Sequence, residues 1–83
     1  MSAPCPRFGF IVTLAPPSAA IAEDLRVFAD DNGLVAEIAS AGQVIVAAEG
    51  TQTTDGDRSL VRGWAERYTG RVTVEVSEIV DLR

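Results

Sequence analysis

From Arg7 to Leu14 apolar side chains recur at every second position, so Phe8, Phe10, Val12 and Leu14 share one side of an extended strand while Gly9, Ile11 and Thr13 share the other. Pro16-Pro17-Ser18 interrupts that strand and supplies a serine N-cap. The spacing then changes to a helical one, with Ile21, Leu25 and Phe28 on the apolar side and Glu23, Asp24, Arg26, Asp30 and Asp31 on the wet side. Asn32-Gly33 ends this helix, Gly33 taking the left-handed conformation that suits a helix C-terminus. Leu34 to Ala39 is extended again, Ala41-Gly42 turns, and Gln43 to Ala48 returns as the hairpin partner. A polar loop, Gly50 to Asp57, leads to a second helix capped by Asp55 or Asp57. Its stripe is Leu60, Val61, Trp64 and Tyr68, and Gly70 closes it. The last strand, Arg71 to Val76, points Val72, Val74 and Val76 inward, and the same phase runs through Glu78 to Val80 and Leu82.

Two strand-helix-strand units that share a central hairpin have one compact solution once their crossovers are right-handed. The prediction is an α+β, ferredoxin-like βαββαβ domain: a four-stranded antiparallel sheet in the order 4-1-3-2 with both helices on one face. Residues 1–83 make that single domain, with residues 1–6 expected as a flexible N-terminus. The other face of the sheet is then open. Gly9, Ile11, Thr13, Ile45 and Ala47 lie at its centre, small or apolar where an uncovered sheet ordinarily turns polar, which leaves two readings: an interface for a partner or a second copy, or a modest apolar patch tolerated because residues such as Ala and Thr expose little area. Glu78 falls in the inward phase of its strand: either a bulge displaces it, or it lies near the sheet's end and reaches solvent or an arginine, and the cost of burying a lone carboxylate favours the second.

Composition narrows the chemistry. A chain of 83 residues buries roughly 60 to 65% of its unfolded surface, enough for one small core. There is no histidine, and Cys5 stands alone, so the usual zinc sites and the Cys-His and Ser-His-Asp nucleophiles have no residues to build them. No apolar stretch is long enough to span a bilayer, and residues 1–7 have no signal-peptide core, so a cytoplasmic protein with no membrane partner is expected. The net charge of −5 works against non-specific affinity for nucleic acid, and no DNA partner is expected. All seven basic residues are arginine. Arg58 and Arg62, four apart on the second helix, with Arg67 near its end, form the one basic patch available for phosphate or an acidic protein surface; the weakness of charge runs as functional signals favours instead a solvated face pairing with Asp55, Asp57 and Glu66.

No catalytic constellation is present. Asp55-Gly56-Asp57 with Glu49 nearby has the start of a calcium loop but not its later oxygen ligands or terminal glutamate, and the carboxylates are accounted for at a helix N-terminus. No metal and no other cofactor is predicted. Glu49, Asp55 and Glu78 are the groups an enzyme would have to recruit as acid or base, and none has a matched partner beside it. A non-enzymatic binding protein is the expectation.

Gly9-Phe10 in the first strand, Glu49-Gly50 after the third, Val61-Arg62-Gly63-Trp64 with Glu66-Arg67 in the second helix, and Ser77-Glu78-Ile79 with Asp81 near the end follow one another in an order and spacing that resembles the YggL family. These are small bacterial proteins implicated in binding the large ribosomal subunit. The resemblance runs from about Arg7 to the C-terminus and rests on the succession of short motifs. It implies association with the large ribosomal subunit, through rRNA or a ribosomal protein, with Arg58, Arg62 and Arg67 as contacts. The alternative, from another class, is a homodimeric or protein-binding module that uses the open sheet face and does not bind ribosomes.

Overall fold

A computed structural model describes residues 8–50 and 52–81. The expected flexible segment 1–6, the start of the first strand at Arg7, Cys5 and the continuation to Leu82 lie outside the described residues. The chain runs β1 (Phe8–Ala15), α1 (Ala19–Asp31), β2 (Leu34–Ser40), β3 (Gln43–Ala48), α2 (Asp55–Ala65), a 3-10 turn (Glu66–Tyr68), β4 (Thr73–Val76) and β5 (Val80–Asp81). The sheet is antiparallel in the order β2-β3-β1-β4, with β5 also paired to β1. Read from the other edge this is the expected 4-1-3-2, with one short strand added. Among the described residues no helix is long and apolar enough to cross a membrane.

The core lies between one sheet face and the two helices. Phe10, Val12 and Leu14 from β1 and Val44 and Val46 from β3 meet Ala22, Leu25 and Ala29 of α1 and Val61 and Trp64 of α2, all at most 2% exposed. Truncating Trp64, the largest of the fully buried side chains, to alanine would cost about 3–5 kcal/mol. The buried stripe of α1 is set one position round from the expected one. Ala22 and Ala29 are its floor, while Ile21 and Phe28 are only half-buried, because small side chains let the helix lie closer to the sheet there. In α2, Leu60 is 41% exposed and does not belong to the buried stripe of Val61 and Trp64. Phe8, at the open end of β1, is likewise 38% exposed.

The caps are local devices. Ser18 Oγ accepts from the Ile21 N–H at the start of α1, as expected. Gly33, at φ +74°, takes the left-handed conformation after α1. At α2 the cap is Thr54, not Asp55 or Asp57: the Asp57 carboxylate reaches back to accept from the Thr54 N–H at 2.9 Å, one arm of a capping box. The α-helix also stops at Ala65, and Tyr68 sits on a tighter 3-10 turn before Gly70.

The last strand departs most from expectation. Val76 pairs with Val12, but Val80 pairs with Gly9, so the register slips by one residue across Ser77-Glu78-Ile79. A one-residue slip reverses which face each side chain takes. Val80 therefore points to the open face, 38% exposed, and not into the core. Glu78 is exposed because of this bulge. The slip is held by Ser77: its N–H donates to the Ile11 carbonyl at 2.9 Å, and its hydroxyl oxygen accepts from the Ile11 N–H at 2.8 Å, where a main-chain carbonyl would ordinarily serve.

A second hydroxyl extends the sheet at its other end. Thr53, 8% exposed, donates from Oγ1 to the Phe8 carbonyl at 2.7 Å and accepts from the Ala48 N–H at 2.9 Å. It bridges β1 and β3 where the direct ladder ends. Thr53→Val keeps the shape but strands both main-chain groups, so urea unfolding should show a loss of about 1–3 kcal/mol, with Thr53→Ser losing less. Equal midpoints for the wild type and the valine variant would remove this role from the hydroxyl.

Candidate functional site

Two surfaces carry the residues singled out from sequence: the outer side of α2 and the open face of the sheet.

The arginines of α2 do not make one patch. Arg58 turns inward onto the bulge, its Nε donating to the Ser77 carbonyl at 2.8 Å and its Nη1 pairing with Asp55 at 3.1 Å, and its side chain is 17% exposed. The carbonyl it holds is the one left free when the Ser77 hydroxyl takes over the bond to Ile11. Arg62 is exposed and borders a shallow groove against β4, beside Glu66, Thr69 and Thr73. Arg67 lies on the side facing α1, its guanidinium 5.8 Å from the centre of the Phe28 ring. Arg71, after the 3-10 turn, stacks at the same distance on Tyr68. Each of these cations thus has its own surroundings, and Arg58 is engaged within the fold.

Trp64 joins the two helices. It is 1% exposed, lies 5.2 Å from the Tyr68 ring and 6.4 Å from Phe28, and donates Nε1–H to the Asp24 carboxylate at 3.0 Å. The Tyr68 hydroxyl donates to the same carboxylate oxygen. That hydrogen bond, reinforced by burial, raises the Tyr68 hydroxyl above the ordinary tyrosine pKa. Asp24 thus belongs to the seam between α1 and α2 and not to a wet helix face. Helical spacing alone placed it outside, and its two aromatic donors, forty and forty-four residues further on, left no local mark in the sequence.

On the open face the expected residues do come together. Ile11 is paired with Ile45, and Ile45 with Glu37, so one row across the sheet runs Glu37, Ile45, Ile11 and then Ser77 on the β4 side. Toward the start of β1 the next row is Val35 opposite Ala47 on β3, and Gly9 opposite Val80. Toward the end of β1 lies Gln43, Thr13 and Glu75. The face is therefore graded: the Ile11 row is apolar at its centre with Glu37 and Ser77 at its ends, the Val35 row is apolar or small throughout, and the third row is polar. Ile11, Thr13 and Ile45 are half-buried, while Gly9 and Ala47 are buried and can serve only as its floor. Val35, Val80, Glu37 and Glu75 complete the surface. Of these, Val80 reached it only through the register slip, which alternation did not reveal.

The candidate acid-base groups are separate. Asp55 pairs with Arg58, Glu49 is at the start of the β3–α2 loop, and Glu78 is on the bulge. No family model, curated protein or solved structure matches the chain.

Proposed function

We propose that this chain is a non-enzymatic docking domain that works through the open face of its sheet. The observation that carries this is the apolar centre of the open face, Ile11 and Ile45 with Val35 and Val80 in the adjoining row, facing away from both helices on a sheet whose other side already holds the core. An antiparallel sheet with one core face ordinarily presents a polar second face. We read the architecture as a ferredoxin-like fold in which a short β5 follows a bulge. The resemblance to YggL supplies the candidate partner, the large ribosomal subunit. The dispersal of Arg58, Arg62 and Arg67 argues that contact with such a body is made by the sheet face and to protein, since an arginine grip on phosphates needs its cations gathered on one surface.

Co-sedimentation of the purified chain with isolated large subunits, at low and moderate salt, tests this. Ile45→Asp should abolish pelleting, whereas Arg62→Glu with Arg67→Glu should leave it within about twofold, as expected for exposed charges outside a contact. The reverse pattern would return the site to the arginines. Absence of pelleting at both salts would remove the ribosome as partner.

A further inference from the structure

The open face has a charge pattern that selects its occupant. Glu37 on β2 and Glu75 on β4 are both exposed, lie on the two outer strands, and pair with no cation among the described residues. Three strand spacings separate those strands, about 14 Å. Between those strands lie Ile45 and Ile11 in the Glu37 row and Thr13 and Gln43 in the adjacent Glu75 row, and among the described residues these rows carry no basic side chain. An α-helix is about 10–12 Å across with its side chains. The span between the two outer strands is therefore wide enough to seat one helix running along them, with one glutamate on each flank.

We propose that the occupant is an amphipathic α-helix of another protein, its apolar stripe seated on Ile11 and Ile45 and its flanks carrying lysine or arginine toward Glu37 and Glu75. This rests on the open-face reading above and adds the chemistry of the partner. A second copy of the chain fits worse, because face-to-face packing would bring two carboxylates from each copy into an interface with no described cation to meet them. Nucleic acid fits worse still, since the same carboxylates repel phosphate.

The probe is a 20-residue synthetic helix with leucine at i, i+3, i+4 and i+7 and lysine along both flanks, compared with versions in which the lysines are glutamine or glutamate. Amide shifts of the full-length chain report the surface used, and titration reports affinity. The lysine helix is expected to shift Ile11, Thr13 and Ile45 while sparing Trp64. Glu37→Gln with Glu75→Gln should weaken it about tenfold, in line with two rim ion pairs, and added salt should do the same. The glutamate helix should not bind.

If lysine and glutamine helices bind equally and the Glu37/Glu75 variant is unaffected, the basic partner is overturned and the docking face stands. If no helix shifts the open face, both fall. A mass that doubles with concentration and returns to monomer in Ile11→Asp would overturn the foreign partner in favour of a second copy.

Discussion

Replacing Arg58 with alanine should lower the stability of this domain by about 2–3 kcal/mol, while the same change at Arg62, one helical turn away, should stay within about 0.5 kcal/mol. The difference lies in what each guanidinium touches. Arg58 donates to the Ser77 carbonyl, a group left free by the register slip between β4 and β5, and its stem is covered by the fold. Removing it leaves that carbonyl without its partner on a part-buried strand and deprives Asp55 of its ion pair, although the exposed pair itself contributes little. Arg62 is exposed and has no such bond. A domain of this size is typically stable by about 4–12 kcal/mol, so the loss is a sizeable fraction of the whole and corresponds to a midpoint lower by roughly 8–24 °C. Thermal unfolding followed by circular dichroism reads it directly. Coincident melting of the two variants would show that the bulge holds itself.

The second large effect is expected at Asp24. Its carboxylate accepts from both Trp64 and Tyr68, and Trp64 is too deeply buried for water to take over. Asp24→Ala should therefore cost about 2–4 kcal/mol, with Asp24→Asn losing less because an amide oxygen still accepts. The same cluster makes stability depend on alkaline pH. Tyr68 has its pKa raised by the hydrogen bond to Asp24, so the folded state holds this proton more tightly than the unfolded chain. The contribution is complete below the ordinary tyrosine value of about 10 and is lost as pH climbs through the higher folded value. Urea midpoints between pH 8 and 11 should fall more steeply for the wild type than for Tyr68→Phe. Parallel slopes would exclude Tyr68 as the group responsible.

Periodicity read the local elements well because each is dictated by neighbours in sequence. Alternation around Phe10, Val12 and Leu14 marks β1 and its core face, and Ser18 and Gly33 bracket α1 by chemistry that acts within a few residues. The open face was legible for the same reason: Ile11 and Ile45 sit on the phase opposite the core. What periodicity missed depends on distant partners. Nothing near Ser77 announces that its hydroxyl takes the place of its own carbonyl in accepting from the Ile11 N–H, sixty-six residues away, or that Arg58 collects the carbonyl so freed. The helical spacing of Arg58 and Arg62 does place them on one side of α2, yet it cannot say that the bulge draws one of them inward. Likewise Thr53 reads as an ordinary loop threonine until β1 and β3 diverge around it.

The register slip also decides how copies of this sheet could join edge to edge. An unpaired edge strand is a template for another chain, and a sheet with two usable edges can lengthen without limit. On the outer side of β1 the edge is broken into four residues of β4 and two of β5 that are out of step, so an incoming strand cannot bond to both in one register. The opposite edge, β2, offers seven residues, irregular only between Ile38 and Ser40. Among the described residues this leaves β2 as the longer regular edge, so strand pairing between copies through it would join two chains edge to edge, and the same slip that seats Arg58 makes the opposite edge a poor template.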